Sequence, residues 1–380
     1  MEKDKLLSKN IELLYEQGFT AAVLGQLEKA NEIFDEILMK NKDHKGAKSC
    51  QKRLEILKDA QPKNFAKHKR DLYLHSLMPT KVQVESLVED KGPLCFRIFT
   101  DTLAERLAKR HEGRLDFYIA SFTDSQVESL GKHVGDLNFH LTTLTDAEAN
   151  NLGNISGGCL YFLSLTSLTD TQAESLAKHS SILDFPSITS FTDAQVESLA
   201  KQSGCLYLDG LTSLTDAQAE SLAKHSGSLC LHSLTSFTYA QAANLAKHSY
   251  ELYLEGITSL TDAQAEGLAK HSGELYLEGI TSLTDAQAES LAKHSGMLSL
   301  RSIRSITDAQ AESLAKHSGK LILPYLTFIT DAQAESIAKH SNWWILNSEL
   351  DEKVERYRQW FSLPSELREK VDKYYNSTST

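Results

Sequence analysis

Apolar residues recur along most of this chain in two alternating rhythms. In Leu275–Ile280, Leu275, Leu277 and Ile280 are apolar, and Tyr276 and Glu278 alternate with the leucines. A period of two predicts a strand with leucines on one face and Tyr/Glu on the other. Just upstream, Ala265, Leu268 and Ala269 stand at i, i+3 and i+4, the stripe of a short helix. Thr261 with Gln264 forms a capping box, and Leu260 with Ala265 the pair of a hydrophobic staple. Asp262 in the first turn and Lys270 with His271 in the last complement the helix dipole. Gly273 suits the left-handed residue that stops a helix. The pattern therefore predicts a helix over 262–271. Its apolar face is mostly alanine, so its neighbour must pack close, and alone it is too short to persist in water.

This unit repeats. Anchored on the Asp that opens each helix, copies fall at Asp101, Asp124, Asp146, Asp170, Asp193, Asp216, Tyr239 in the same slot, Asp262, Asp285, Asp308 and Asp331. The spacings are 23, 22 and 24 residues, then 23 seven times running. A weaker copy is anchored at Lys81, and a fragment from Phe65 reads as the tail of an earlier one. One such unit cannot bury a core, whereas stacked copies can, with their strands in a parallel ladder.

With its recurring TDAQAESLAKHSG phrase, the stretch 65–347 resembles short-repeat bacterial leucine-rich repeat proteins. The resemblance implies an α/β fold: a right-handed leucine-rich-repeat-like solenoid of about 12 strand–helix units, its parallel strand ladder on the concave face. One departure is plain. The slot that holds an Asn ladder in that family is apolar here, at Leu211, Leu234, Ile257, Ile280 and Ile303. The Thr–Ser pairs that follow, Thr258/Ser259 and Thr281/Ser282, are candidates to supply the loop hydrogen bonds instead.

The flanks differ. Residues 1–60 resemble one tetratricopeptide unit, with Gly18, Gly25, Ala30 and Phe34 at that family's spacing for close helix packing, and 60–64 read as a linker. Residues 348–380 predict helices at about 349–361 and 364–375, and Trp343, Trp344 and Trp360 all lie near or within this segment. A solenoid's open apolar end needs a cover. The segment reads first as that cap, and second as a partner-binding helix.

Composition narrows the function. The chain is 41% hydrophobic and 24% charged, which places most of it among folded proteins. A net charge of −11 argues against nucleic acid as a partner. The cluster Lys40, Lys42, Lys45, Lys48, Lys52 and Arg53 reads as a solvated helix face. The N-terminus shows no secretory pattern and no apolar run approaches the roughly 20 residues of a membrane helix. The five cysteines, Cys50, Cys95, Cys159, Cys205 and Cys230, are scattered and lack CxxC spacing. A cytoplasmic protein with reduced thiols, with no membrane partner and no metal, is expected.

The copies can be compared with one another. Their helix halves barely change, while the strand positions between the leucines do. The resemblance implies that these side chains face outward on a ladder of roughly 55–60 Å, at about 4.8 Å per strand. The candidate partner-binding residues are Tyr161, Asp184, Tyr207, Asp209, His232, Tyr253, Glu255, Tyr276, Glu278 and Arg301. Tyrosines are favoured interface anchors. Asp184 with Asp209, and Glu255 with Glu278, place like charges on neighbouring strands, which a basic partner would relieve. The copies 251–273 and 274–296 differ only at Gly267 and Ser290, so the second acidic pair also has a plain origin in duplication. The histidines at 133, 179, 225, 248, 271, 294, 317 and 340 share one slot and read as helix-dipole partners rather than as metal ligands.

No HExxH, P-loop, GxSxG or Rossmann glycine pattern occurs, and the repeated threonines are employed as helix caps. The expectation is a non-catalytic scaffold, without cofactor, that binds a protein or peptide on its strand face, a basic partner being one candidate. The alternative is a structural or sensory spacer whose terminal helices make the functional contacts. The oligomeric state stays open.

Overall fold

In a computed structural model of the protein, the described residues are 14, 17, 27–45, 47–48, 50–51, 93–97, 99–110, 112–340, 344–363 and 367–368. They belong to two compact units, Met1–Leu165 and Thr166–Thr380. Gly18, Gly25, the copies at Lys81 and Phe65, Trp343 and most of 364–375 lie outside the described residues.

In the first unit, helix α1 (Leu27–Lys40) buries Ala30, Phe34 and Ile37 together with Ala47 and Cys50. Lys40, Lys42, Lys45 and Lys48 are exposed, as a solvated face requires. Strands β1 (Leu94–Phe96), β2 (Leu115–Phe117), β3 (Leu137–Phe139) and β4 (Leu160–Phe162) then pair in chain order, all parallel. Helices α2 (Asp101–Arg110), α3 (Asp124–Leu130) and α4 (Asp146–Gly153) alternate with them. The inward end of each strand is a phenylalanine. Phe96, Phe117, Phe139 and Phe162 stack at centroid separations of 5.8, 5.6 and 5.2 Å and form a buried aromatic spine.

The second unit repeats the plan with shorter strands. These are β5 (Leu183–Asp184), β6 (Leu206–Tyr207), β7 (Leu229–Cys230), β8 (Leu252–Tyr253), β9 (Leu275–Tyr276), β10 (Leu298–Ser299), β11 (Leu321–Ile322) and β12 (Trp344–Ile345). Neighbours are parallel and in register, so the leucines from Leu183 to Leu321 stand opposite one another, fully buried. The helices are α5 (Asp170–Leu176), α6 (Asp193–Leu199), α7 (Asp216–Leu222), α8 (Tyr239–Leu245), α9 (Asp262–Leu268), α10 (Asp285–Leu291), α11 (Asp308–Ala315) and α12 (Asp331–His340). A longer α13 (Ser348–Ser362) closes the series and buries Leu350 and Val354. Asn347 caps it, accepting from the Leu350 amide, and donates to Leu326 O. Lys353 bonds Ile329 O and Asp331, each at 2.8 Å.

The capping boxes form as the pattern predicts, and they do more. In α7 the Gln218 side chain accepts from the Thr215 amide, and its Nε2 donates 2.9 Å to Phe191 O of the preceding repeat. The same bond to a carbonyl 27 residues back recurs at Gln195, Gln241, Gln264, Gln287, Gln310 and Gln333, and at Gln126 in the first unit. This glutamine ladder ties successive loops three residues beyond the apolar slot at Leu211 and its equivalents. Loop bonds from threonine occur at Thr235, to Thr212 O, and at Thr327, to Arg304 O. A second ladder runs beside the glutamines. The capping Thr hydroxyl donates to the Asp that opens the preceding helix, as from Thr215 to Asp193 at 2.7 Å and from Thr284 to Asp262 at 2.9 Å.

Two local expectations change. Helix α9 ends at Leu268, because Lys270 and His271 donate to Gly267 O and Leu268 O in tighter turns. Gly273 is not left-handed; among the described residues only Gly158 has positive φ. Glycine serves close approach at this slot. A Cβ on Gly273 would meet Tyr250 O at 2.2 Å, and one on Gly296 would meet Gly273 O at 2.0 Å. Repeated strand, turn and helix in parallel register make each unit a leucine-rich-repeat-like α/β solenoid.

Candidate binding face

Between the buried leucines, the strands of the second unit carry two further rows of side chains; in the first, Cys230, Ser299 and Ile322 are buried and the other four half-buried. The first row, in register, is Asp184, Tyr207, Cys230, Tyr253, Tyr276, Ser299 and Ile322. Two residues further along each strand stand Asp209, His232, Glu255, Glu278 and Arg301. All ten candidate residues except the exposed Arg301 are half-buried, and Tyr161 occupies the corresponding place on β4 in the first unit.

The side chains of the second unit form three groups. The first centres on His232. Its Nδ1 lies 2.8 Å from Asp209 Oδ1 and its Nε2 lies 3.6 Å from Glu255 Oε1. The hydrogen bond to Asp209 raises the imidazole's proton affinity, against the opposing effect of burial. Both ring nitrogens face carboxylates, so the ring is suited to carry a positive charge and not to activate a nucleophile. Asp184 stands opposite Tyr207 rather than Asp209. Burial, then the charge of Asp209, pushes its carboxyl up to about 6.

The second group is aromatic. Tyr253 and Tyr276 stack with centroids 4.1 Å apart and planes within 9°. The Tyr276 hydroxyl donates 2.7 Å to Glu274. Burial pushes the ionisation of Tyr207, Tyr253 and Tyr276 to higher pH, so all three present neutral hydroxyls. In the third group Arg301 Nε lies 3.4 Å from Glu278 Oε1, which also accepts from Ser299 Oγ at 3.1 Å.

The acidic pairs read from the sequence are therefore partly answered within the face. His232 bridges Asp209 and Glu255, and Arg301 answers Glu278. The pattern of alternating positions contained all these residues but not their diagonal partnerships. The first unit carries a stack of its own, which the candidate set missed. The rings of Tyr118 and His140 lie 3.8 Å apart, and Arg97 sits over Tyr118 at 5.8 Å. Beneath them the buried Asp116 accepts from Asn138 at 2.6 Å and lies 3.2 Å from Arg114 Nε.

The histidine slot lies elsewhere, behind the helices' last turns, and is not a row of solvated dipole partners. His225, His248, His271, His294 and His317 are each at most 3% exposed, and their rings stack at 5.8–6.0 Å. Burial lowers the proton affinity of each, His248 to about 4. Among the described residues no three of His, Cys, Asp and Glu come together to hold a metal ion, and no helix is long and apolar enough to cross a membrane.

No protein-family description matches the sequence, and no curated protein does. Solved structures with a similar chain path include an internalin of Listeria monocytogenes, 16% identical with a TM-score of 0.44, over 70% of this chain and 75% of that one. A leucine-rich repeat protein of Leptospira interrogans is also 16% identical, with a TM-score of 0.41, over 77% and 91%. A chain of the Toll–Spatzle complex of Drosophila is 15% identical with a TM-score of 0.48, over 72% of this chain and 42% of that one.

Proposed function

We propose that this protein is an interaction scaffold that grips a protein or extended peptide on the outward strand face of its second unit. One observation carries the reading. The helix side repeats the same capping and cross-repeat bonds in copy after copy, while the outward strand positions vary and bear tyrosines and ion pairs. A fixed frame with a variable, half-buried aromatic face is what partner recognition needs. The Tyr253–Tyr276 pair is the natural anchor, since stacked rings lose little freedom when covered. Carboxylates outnumber cations across the two rows, which favours a partner presenting basic side chains. The reading assigns no catalytic step to the chain, and it places the protein in the cytoplasm, where its five free cysteines stay reduced.

A photo-crosslinking residue placed at Tyr253 or Tyr276 should yield a discrete partner adduct in the native host. One at Glu289 or Glu312, on the exposed helix side, should not. Adducts confined to the helix side, or to α1 and α13, would overturn the strand-face reading in favour of a spacer worked from its ends.

A further inference from the structure

The histidine column has a chemistry that the proposed binding face does not use. Five imidazoles, from His225 to His317, lie in one file through the second unit, each within 15° of parallel to the next. They are among the most buried polar side chains of the chain. Both nitrogens of His248, His271 and His317 are shut from solvent, with backbone groups nearby whose pull on a proton is outweighed by burial. His294 is placed differently. Its Nδ1 lies 2.7 Å from His271 O and its Nε2 lies 3.2 Å from Met297 O. A neutral ring can donate through only one nitrogen, so the second contact is completed only by a proton.

We propose that this column is an acid-sensitive latch, closed while its rings are neutral and forced open along the turns 245–250, 268–273 and 291–296 once they take up protons. The physical basis is crowding of like charge. A cation on one rung sits one ring away from the next, inside a low dielectric where repulsion is strong. The charge of His294 makes protonation harder at His271 and His317, and His225 and His271 do the same to His248. The rungs therefore cannot fill together without separating. Around the column lie Tyr250, whose ring is 6.1 Å from that of His248, and Glu251 and Glu274 at the strand starts. Glu251 is held by Ser228 and Glu274 by Tyr276. Lys247, Lys270, Lys293, Lys316 and Lys320 surround it with exposed ammonium groups. The proton affinity of Glu251 is lowered chiefly by its bond from Ser228, and the charge of His248 is the smallest of the causes acting on it.

The sign follows from linkage. Folded rings bind protons more weakly than unfolded ones, so the column's contribution to stability is intact above the unfolded value near 6.5. It is lost as pH falls from there toward about 4, the folded value of His248. The chain contains its own control. Gln202 fills this slot in one repeat, is as buried as the histidines, and donates to Ser181 O without titrating.

The test compares the full chain with its H248Q/H271Q/H294Q variant by hydrogen exchange at pH 7.5 and 4.5, corrected for intrinsic rates. The parent should lose roughly tenfold or more protection in the three turns at pH 4.5, and the variant should lose clearly less. Carboxylate titration is common to both chains and cancels. Nitrogen NMR of the parent's rings should show His248 neutral at pH 5.5, where exposed imidazoles are mostly charged, and the other column rings titrating below exposed ones. Equal loss of protection in parent and variant, or column rings titrating near 6.5, would overturn the proposal. Should the triple variant not fold, His294→Gln alone must let His271 and His317 take up protons at higher pH; unchanged titration there overturns it too.

Discussion

Asp209 holds His232 across neighbouring strands, with Oδ1 2.8 Å from Nδ1. The pair sets the charge of the candidate face. His232's folded proton affinity is raised, so its stabilising effect is complete below the unfolded value near 6.5 and is lost as pH rises through the folded one. Asp209→Asn should lower the imidazole's titration midpoint, because the hydrogen bond to Asp209 is the largest cause of its raised proton affinity. Proton NMR of the ring reads this directly, and an unmoved midpoint would separate the two residues functionally.

Asp184 contributes in the same sense over a lower pH window. Its carboxyl is raised to about 6 by burial and by Asp209, so ionising it costs stability as pH climbs through that value. Asp184→Asn should stabilise the second unit at pH 8 by about 1 kcal/mol, discounted for its partial access to solvent, and change little at pH 4. Urea midpoints at the two pH values decide the matter.

The glutamine ladder predicts a large effect from a polar, helix-side residue. Gln218→Ala removes the partner of both the Thr215 amide and Phe191 O. Two groups lose their bonds, one of them deeply placed, and the cost should be about 1–3 kcal/mol in urea unfolding. Gln218→Glu should cost a similar amount, because a carboxylate cannot donate to Phe191 O. Glu148 shows the compensation such a site needs: it accepts from the Phe122 amide at 2.8 Å instead of donating to a carbonyl.

Gly296→Ala should destabilise by about 2–4 kcal/mol, since its Cβ would lie 2.0 Å from Gly273 O, a backbone atom that cannot swing aside. Exposed Ser295→Ala, one residue earlier, should fall within about 0.5 kcal/mol of the parent. A mild Gly296→Ala variant would show that the turn stack yields more readily than its geometry implies.

Val354→Asp tests the closing helix. Val354 is fully buried beneath α13, and an unpaired carboxylate there should cost about 3 kcal/mol and loosen α12 first. Proteolysis beginning between α12 and α13 would be the visible result.

Much of this fold is legible in the sequence because each repeat states its own start. Thr at the cap with Gln three residues on marks most of the repeat helices, and apolar residues at alternate positions mark the strands. What escaped is whatever depends on the neighbour. Gln218 reads as a cap, yet its reach to Phe191 O appears only when two repeats are set in register. His271 reads as a dipole partner because the helix seems to run to it. The helix stops at Leu268, and the ring turns inward onto His248 and His294. The phenylalanines from Phe96 to Phe162 share a slot, but only stacking shows them as a spine. On the face, Tyr253 and Tyr276 follow from alternation alone. The joining of Asp209, His232 and Glu255 does not, because it runs diagonally between strands.

From α6 to α12, each repeat brings one glutamine that gives a hydrogen bond backward to a loop carbonyl of the repeat before. Every junction is thus interchangeable with every other. A gene that slips by one 23-residue period adds or removes a floor without leaving a mismatched seam, and the near-identity of 251–273 and 274–296 has the look of such an event. Length in this protein is a heritable quantity that can be adjusted in single steps, each of which adds or removes one strand of its face.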